Sequence, residues 1–310
     1  MTLFELLCYN FPLGGAKRRC KKIKDIITIY TVEESVRLFI ANTRNVVNRA
    51  FEIHKTSPVV TAAFGRTLTA AAIMGAMLKN ETDLLTITVK GDGPIGGIVV
   101  TVNNKAQTKG YVHNNIVKIP PKPNGKLDVS AAVGYGTLTI TKDIALKEPV
   151  NSQTPLVSGE IAEDITYYYA KSEQIPSCVA LGVLVDRDYT VLAAGGFIAQ
   201  LLPQAKEEII AHLESILPSL PPITTMLTNG QDILSALFPY HKINKHGSVE
   251  PLYHCNCTRE KTQKALISIG KEELKNILKE DGAANIHCHF CKTNYLFNKE
   301  DMEGLICKIN

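Results

Sequence analysis

Two close-spaced pairs of cysteines near the C-terminus constrain the fold of this sequence more than any other feature. Cys255 and Cys257 form a C-x-C pair, Cys288 and Cys291 form a C-x2-C pair, and 30 residues lie between the pairs. Each pair can supply two ligands from one turn, and an insert that folds can bring the pairs together, which is what a tetrahedral thiolate site requires. The pattern therefore predicts a zinc site that organises the tail of the chain.

The length and composition of the chain indicate that cysteines are not needed here as structural cross-links. The 310 residues are 45% hydrophobic and 21% charged, which is typical of globular proteins. A chain of this length is expected to form about two domains, and it can bury a core that is stable without disulfides. Among the other cysteines, Cys178 lies in an apolar run and is predicted to be buried, whereas the sequence indicates no role for Cys8, Cys20 or Cys307.

The part of the sequence before residue 203 mixes strand and helix patterns. β-branched runs at 27–32 and 36–41 predict a hairpin, and Ser57-Pro58 predicts the start of a buried helix over the almost uncharged residues 59–78. The patterns further along predict strands within 83–147, a helix over 158–174, and a second hairpin of 178–186 with 189–197. We predict an α+β core domain of mixed sheet and helix over residues 25–202.

Residues 203–253 differ from the core and are predicted to be a helical, metastable linker. Apolar side chains recur at helical spacing within 204–220, a second short candidate spans 231–238, and prolines interrupt both. Short amphipathic helices cannot bury their apolar faces alone, so they must lie on a neighbouring domain, and only marginally. Detachment of the linker would expose its apolar residues Ile209, Leu213, Ile216 and Leu217.

Residues 254–310 are predicted to be a small C-terminal domain organised by zinc. The insert between the cysteine pairs has two helix-like segments and an Asp281-Gly282 turn, and a strand at 294–297 and a helix follow the second pair. A domain of this size cannot rely on a hydrophobic core alone. Zinc binding would therefore supply a large part of its folding free energy.

A permanent structural zinc site is the commoner use of such cysteines and is one interpretation of this tail. Structural fingers, however, space paired ligands by about two to four residues, and a C-x-C disulfide would close a strained ring that is easily reduced. Zinc also holds thiols as thiolates, the form that oxidants attack, so the pattern favours a reversible redox switch. His254, His287 and His289 could each replace a cysteine, but four thiolates already complete the ligand shell.

The net charge of +4 arises at the N-terminus and does not indicate nucleic-acid binding. Residues 1–24 contain six basic residues and one acidic residue, so the remainder is close to neutral. We predict a basic extension, whose short apolar stretch precedes the basic cluster, the reverse of a secretory signal. No apolar run approaches the roughly 18 residues of a membrane span. We expect a cytoplasmic protein, or one in an organelle stroma or matrix if residues 1–24 are a transit segment.

Two other classes of function compete with a redox switch. A structural zinc ribbon that binds nucleic acid would need a basic tail, but residues 255–310 have nine basic and eight acidic residues. A thiol oxidoreductase would place C-x2-C at a helix start in a thioredoxin-like unit. No Walker motif supports ATP-driven work, and Gly91-Asp92-Gly93-Pro94 predicts a hairpin turn because neither a helix nor a GK[ST] follows it. We predict no catalytic residues.

The sequence resembles the redox-regulated 33-kDa heat-shock chaperonin family over residues 25–300. The C-x-C and C-x2-C pairs carry part of the resemblance, and several segments occur in the order that the family has. These segments are TSPVVTAAFGRTLTAAAIMGAMLK (56–79), KGDGPIGGI (90–98), GYV (110–112), SGEIAEDITYYYAKSEQIPS (158–177), ALGVLV (180–185) and AAGGFIAQLLP (193–203). Residues 1–24 lie upstream of the family's usual start.

The resemblance implies an ATP-independent holdase that oxidation controls. In the reduced, inactive form, the cysteines that correspond to Cys255, Cys257, Cys288 and Cys291 bind zinc. Oxidants such as peroxide or hypochlorous acid, often with heat, are expected to form the disulfides Cys255–Cys257 and Cys288–Cys291. Zinc is then lost, and the tail and linker unfold.

The resemblance also implies the partners of the oxidised form. It is expected to dimerise, to bind unfolding client proteins through exposed apolar surface, and to hand them to an ATP-dependent refolding chaperone. We predict that Ile209, Leu213, Ile216 and Leu217 contribute to client binding. Neither nucleic acid nor a membrane is expected as a partner.

Overall fold

Two sheets that enclose a buried helix form the core of the protein. The structure, a computed structural model, describes residues 24–309. Within this range, five strands form the first sheet: β1 (Ile26–Val32), β2 (Val36–Asn42), β8 (Ser177–Val185), β9 (Val191–Leu201) and β10 (Ile243–Val249). Their order across the sheet is β10-β1-β2-β9-β8, and neighbouring strands are antiparallel.

The second sheet is formed mainly by the strands that follow one another between residues 84 and 155. The strands in this part of the described chain are β3 (Leu84–Gly91), β4 (Ile98–Asn103), β5 (Gln107–Val112), β6 (Gly136–Asp143), β7 (Val150–Pro155) and β11 (Leu252–Tyr253). The order is β11-β5-β4-β3-β6-β7. The two-residue strand β11 is parallel to β5, and the other neighbours are antiparallel.

Four helices complete the core domain as it is described. They are α1 (Arg44–His54), α2 (Pro58–Gly75), α3 (Val129–Val133) and α4 (Ala162–Tyr168), which continues into a π turn at Tyr169–Glu173. Helix α2 contacts strands of both sheets, so its side chains join the two into one hydrophobic core. The predicted α+β class is therefore confirmed. No helix within residues 24–309 combines the length and the apolar composition of a membrane span.

Helix α2 begins at Pro58 and is buried along almost its whole length, as the sequence predicts. Ser57, however, does not cap the helix with its side chain, because its hydroxyl donates to the Val117 carbonyl oxygen at 2.9 Å. At the other end, a Cβ placed on Gly75 would lie 2.7 Å from the Asn103 carbonyl oxygen. Glycine at this position therefore permits the close contact of α2 with β4.

The hairpins predicted in the core domain are confirmed. Strands β1 and β2 pair around a turn in which Glu33 and Glu34 have left-handed φ angles of 50° and 54°. Strands β8 and β9 form the second hairpin, and β3 and β4 pair across the turn that contains Gly91 to Gly97. The helix predicted from residue 158 begins only at Ala162, because the buried Asp164 carboxylate accepts hydrogen bonds from preceding backbone N–H groups and holds that segment as a turn.

The linker covers the outer face of the first sheet. Its helical elements are α5 (Glu207–Ile216), a 3-10 turn at Leu217–Ser219, α6 (Ile223–Thr228) and α7 (Ile233–Leu237). Their apolar side chains form a cluster with residues of β1, β2, β8 and β9, which includes Leu38 and Phe197. The predicted short helices are therefore present, and each is too short to be stable without the sheet beneath it.

The linker region is not helical throughout, because residues 243–249 form strand β10. This strand pairs with β1 and extends the first sheet, with a register shift between Ile29 and Tyr30. The sequence INKHGSV is largely polar, and this edge strand is only half-buried or exposed along its length, so it lacks the apolar alternation that predicts a strand. Lys24, the last residue of the predicted extension, forms an ion pair with Glu250 just beyond this strand.

The tail folds around a small core of its own. Its elements are β12 (Ala284–His287), β13 (Asn294–Phe297), α8 (Arg259–Ser268), α9 (Lys271–Asp281) and α10 (Lys299–Lys308). The buried apolar residues of this core are Leu266, Leu274, Ala284, Phe297, Met302 and Leu305. Gly282 ends α9 with a left-handed φ of 71°, as the Asp281-Gly282 turn predicts. Few large apolar side chains are thus buried in the tail, and its dependence on a metal for stability stays a prediction.

Candidate metal centre

The structure brings the four predicted cysteines together. Cys255 and Cys257 lie in the segment between β11 and α8, and Cys288 and Cys291 lie in the turn between β12 and β13. The four Sγ atoms are all within 4.8 Å of one another. All four side chains are half-buried, free cysteines.

The turn between β12 and β13 has a backbone conformation that presents two thiols from one loop. The Cys288 N–H donates to the Thr293 carbonyl oxygen at 2.9 Å, and the Lys292 N–H donates to the Cys288 carbonyl oxygen at 2.8 Å. Lys292 has a left-handed φ of 60°, which lets the chain reverse directly after Cys291. Strands β12 and β13 pair from Ala284 with Phe297 to His287 with Asn294, and they hold both ends of the turn.

The distances between sulfur atoms fit a tetrahedral metal ion. The Sγ atoms of Cys255 and Cys288 are 3.8 Å apart, and those of Cys257 and Cys291 are 3.2 Å apart. Zinc–sulfur bonds of about 2.3 Å in a tetrahedron place the sulfur atoms about 3.8 Å apart. A set of four soft thiolates suits zinc or iron rather than magnesium or calcium. The cluster could therefore hold a metal ion without a large rearrangement.

The electrostatics of the cluster also favour a bound cation. Burial raises the pKa of the Cys255 thiol to about 12, and negative charge at Cys288 adds to the effect. Burial acts in the same direction on Cys291, but hydrogen bonds with Thr293 and the neighbouring thiols lower the pKa of Cys291 to about 6. Four thiolates at these distances repel one another, so a cation that neutralises them would displace the remaining protons.

Tyr295 supports the cluster and was not predicted from the sequence. Its hydroxyl oxygen lies 3.2 Å from Cys257 Sγ. The hydrogen bond with Cys257 raises the pKa of Tyr295 to about 12, so the hydroxyl keeps its proton and can donate to a thiolate. The register of the hairpin places Tyr295 beside the cysteines, but no spacing rule connects it with Cys257, 38 residues earlier.

The three histidines that flank the cysteines have other contacts. His287 Nδ1 lies 2.6 Å from Asn294 Oδ1, across the hairpin. The ring of His289 packs on Tyr111, with 5.5 Å between ring centroids. The backbone N–H of His254 donates to the Thr108 carbonyl oxygen at 2.7 Å. The group of described side chains that are close enough to share a metal ion contains the four cysteines and none of these histidines.

The C-x2-C turn also contacts the core domain through Phe290. The Tyr253 hydroxyl lies 2.6 Å from the Phe290 carbonyl oxygen and 2.8 Å from the Gly110 carbonyl oxygen. His54 Nε2 lies 2.9 Å from the same hydroxyl and 3.1 Å from the Phe290 oxygen. Burial, followed by the charge of Lys292, lowers the pKa of His54 to about 4, so the imidazole is neutral at pH 7 and can donate from Nε2 to the Phe290 carbonyl.

The Phe290 ring is held by residues of strand β5. Lys109 Nζ lies 5.0 Å from the ring centroid and 2.9 Å from Asn256 Oδ1, in the C-x-C segment. Tyr111 meets the Phe290 ring edge-on, with centroids 5.4 Å apart. We refer to His54, Lys109, Gly110, Tyr111 and Tyr253 together as the Phe290 seat. No pattern in the sequence predicts it, because its members are distributed over three separate segments.

The predicted client-binding residues belong to α5 and to the 3-10 turn that follows it. Ile209 and Leu213 are buried against the first sheet, and Ile216 and Leu217 pack on the edge of the same cluster. Cys178 of β8 also packs against this cluster, and burial raises the pKa of its thiol. It is half-buried rather than fully buried, whereas Cys307 is exposed. Cys8 and Cys20, with the rest of residues 1–23, lie outside the described residues.

Comparison with known proteins identifies the class to which this fold and this cysteine cluster belong. The chain is 46% identical over 288 residues to a 33 kDa chaperonin of Lachnoclostridium phytofermentans, covering 92% of this chain and 99% of that protein. It is 49% identical over 271 residues to a 33 kDa chaperonin of Clostridioides difficile, covering 86% and 93%. The protein is therefore a chaperone by class.

A solved structure and a family model agree with this class. The crystal structure of the 33 kDa chaperonin (heat shock protein 33 homolog) of Thermotoga maritima matches with a TM-score of 0.84 and 36% identity, over 92% of this chain and 98% of that one. The family model described as Hsp33 protein matches residues 25–298. The chain belongs to the Hsp33 family, which confirms the resemblance found in the sequence.

Proposed function

We propose that the protein is a redox-regulated, ATP-independent holdase that protects unfolding proteins from aggregation under oxidative and heat stress. The observation that carries this proposal is the cluster of four free thiols in a tail whose hydrophobic core is small. That tail follows, along the chain, the linker helices that cover an apolar face of the first sheet. We infer that unfolding of the tail loosens the segment that precedes it, so that a chemical change at the thiols alters how much apolar surface the protein exposes.

In the proposed inactive state, zinc is bound by Cys255, Cys257, Cys288 and Cys291. The metal would supply folding free energy to the tail and would keep the thiols ionised. The free energy of zinc binding is on the order of 10 kcal/mol in zinc-finger peptides. The Tyr295 hydroxyl, beside Cys257 Sγ, would steady one of these thiolates. The cytoplasm, where thiols stay reduced, suits such a resting state.

In the proposed activation step, the disulfides Cys255–Cys257 and Cys288–Cys291 form. For each disulfide, two zinc-bound thiolates give two electrons to one molecule of peroxide, which takes up two protons from the solvent and is reduced to two molecules of water. Formation of both disulfides releases the zinc ion. The sulfur–sulfur distances between the motifs are 3.2 and 3.8 Å, close to the spacing in a tetrahedral metal site, whereas an S–S bond is about 2.05 Å long. Formation of either disulfide would therefore take two sulfur atoms out of the positions that a metal ion needs, which couples oxidation to loss of the metal.

Release of the linker would then create the client-binding surface. Detachment of α5, α6 and α7 would expose Ile209, Leu213, Ile216 and Leu217 together with the sheet residues beneath them, such as Leu38 and Phe197. This apolar surface would bind unfolding clients because the hydrophobic effect is not directional and needs no specific sequence. We further propose that the oxidised form dimerises and hands clients to an ATP-dependent refolding chaperone.

The experiment that tests this function follows metal release and client aggregation in one sample. The reduced, zinc-loaded protein is treated with peroxide, a chromogenic chelator reports zinc, and light scattering reports aggregation of a thermally unfolding client. We expect zinc release to precede suppression of scattering, and a reductant to reverse both. Zinc retention throughout, or nucleic-acid affinity without suppression of aggregation, would favour a structural zinc ribbon instead.

A further inference from the structure

The tail is joined to the core domain by very little regular secondary structure. Strand β11 has two residues, Leu252 and Tyr253, which pair with Gln107 and Thr108 of β5. The Leu252 N–H donates to the Ala106 carbonyl oxygen, and the His254 N–H donates to the Thr108 carbonyl oxygen. A parallel pair of this length is not stable alone, so other contacts must hold the C-x-C segment against the core.

The Phe290 seat supplies such contacts from the opposite cysteine motif. His54 is only 3% exposed, and its imidazole and the Tyr253 hydroxyl both reach the Phe290 carbonyl oxygen. The same hydroxyl reaches the Gly110 carbonyl oxygen of β5, so one phenol connects the core domain, the end of the linker and the C-x2-C turn. The loss of one partner would leave buried polar groups unsatisfied, which makes this contact sensitive to the position of Phe290.

The position of Phe290 depends on the conformation of the cysteine turn. Phe290 lies between Cys288 and Cys291, and the hydrogen bonds from Cys288 to Thr293 and from Lys292 to Cys288 set the direction of its carbonyl group. Its ring meets Lys109 and Tyr111 only while the turn faces β5. A rearrangement of the turn would therefore withdraw the carbonyl and the ring from the seat together.

We propose that the Phe290 seat is the contact through which the folded state of the cysteine turn keeps the tail docked on the core domain. Tyr253 and Phe290 act as positioning residues, and the docked tail in turn holds β11 on β5. This inference rests on the proposed redox function, but it assigns a separate step to it. Undocking of the tail follows from loss of the seat contact, even when the cysteines remain reduced and metal-bound.

The test uses the full-length, reduced and zinc-loaded protein with two variants. Phe290→Ala removes the ring but keeps the backbone carbonyl, and Tyr253→Phe removes only the hydroxyl. Leu296→Ala serves as the matched control, because Leu296 is 59% exposed in β13 of the same tail. Hydrogen–deuterium exchange is measured on peptides that cover residues 107–112, 250–256 and 284–297, and zinc content is measured in parallel.

We expect both variants to bind zinc as the unmodified protein does. Their backbone amide hydrogens at 107–112 and 250–256 should exchange about five- to tenfold faster than in the unmodified protein. Exchange at 284–297 should stay unchanged, since the hairpin of the tail remains folded. Unchanged exchange at 107–112 and 250–256 in both variants would overturn the proposal, as would faster exchange there in the Leu296→Ala control. If a variant lost zinc as well, the seat would belong to the metal centre, and its separate docking role would be wrong.

These results are independent of whether the protein is a redox-regulated holdase. Docking is measured without oxidant or client, whereas the proposed function is tested by peroxide on the unmodified protein. If the tail stayed docked in both seat variants, this inference alone would be wrong. An absent peroxide response would defeat the proposed function alone.

Discussion

Gly182 of β8 and Thr224 of α6 are in such close contact that even a methyl group added at Gly182 would force one of them to move. A Cβ placed on Gly182 would lie 2.9 Å from Thr224 Cγ2 and 3.1 Å from the Thr224 backbone nitrogen. This contact lies where the linker covers the sheet, near the cluster that contains Cys178 and Phe197. The linker thus packs directly on the backbone of the sheet at Gly182.

The substitution Gly182→Ala is expected to loosen the linker without any oxidant. Overpacking costs about 1–3 kcal/mol, and α6 can relieve it by moving off the sheet, because so short a helix has little stability of its own. Cys178 would then react with an alkylating agent about tenfold faster in the reduced protein. The rate can be measured by mass spectrometry of the peptide that contains Cys178.

Gly304→Ala is the matched control for the linker experiment. Gly304 lies in α10, and a Cβ there would meet no atom within 4 Å, so the same chemical change should leave the rate at Cys178 unaltered. Equal alkylation rates in the Gly182→Ala variant and the unmodified protein would show that α6 tolerates the added methyl group in place.

The substitution Cys288→Ser is expected to weaken zinc binding more than any change outside the four-cysteine cluster. A serine hydroxyl is a poor ligand for zinc, and loss of a supporting residue alone costs about 10- to 100-fold in affinity. The zinc affinity of the variant, measured by competition with a chelator, should therefore be more than about 100-fold lower than that of the unmodified protein. Its suppression of client aggregation should no longer depend on peroxide.

Cys307→Ser controls for the removal of a thiol from the same tail. Cys307 is exposed in α10 and lies outside the cluster. This variant should retain zinc and respond to peroxide as the unmodified protein does. A normal peroxide response in the Cys288→Ser variant would contradict the assignment of Cys288 to the switch.

The features that were predicted from the sequence are those that depend on local chemistry. Paired cysteines separated by a foldable insert already specify a thiolate cluster, because the ligand geometry of a metal leaves few alternatives. An almost uncharged run from Val59 to Leu78 specifies a buried helix in the same way, and α2 spans most of it. The amphipathic spacing of Ile209 and Leu213 likewise predicted α5 and its buried face.

The features that escaped prediction depend on contacts between distant parts of the chain. Strand β10 is held by pairing with β1 and not by its own polar sequence. His54 meets the Phe290 carbonyl across 236 residues, and Tyr253 meets Gly110 across 143. Such contacts leave no periodicity or spacing in the sequence, because only the fold determines which residues meet. The position of the cysteine cluster against the core therefore became visible only in the structure.

The substitution Tyr295→Phe is expected to weaken metal retention while leaving the tail folded. It removes the hydroxyl that lies 3.2 Å from Cys257 Sγ but keeps the ring that packs against the small core of the tail. By analogy with other residues that support metal ligands, zinc affinity should fall by about 10- to 100-fold. Competition with a chelator measures this affinity, and Tyr240→Phe, a change at a fully accessible tyrosine, is the control. Identical affinities in both variants would exclude a role for the Tyr295 hydroxyl.

His54 links the stability of the folded protein to pH in a defined range. Its pKa falls from an ordinary value of 6.5 to about 4 on folding, chiefly because the side chain is buried. As the pH drops below 6.5, the unfolded chain binds a proton at this residue, whereas the folded protein does not until about pH 4. The free energy of unfolding contributed by the neutral imidazole is therefore present above pH 6.5 and is lost progressively towards pH 4.

The substitution His54→Gln should remove this dependence, because glutamine stays neutral and its amide N–H can still donate to the Phe290 carbonyl. Between pH 7 and pH 5, we expect the unmodified protein to lose about 2 kcal/mol more stability than the variant. Urea unfolding at both pH values measures the difference. Protonation of the cysteines and acid release of metal affect both proteins alike, so they cancel in the comparison. Parallel loss of stability in the two proteins would mean that His54 is already accessible to protons in the folded state.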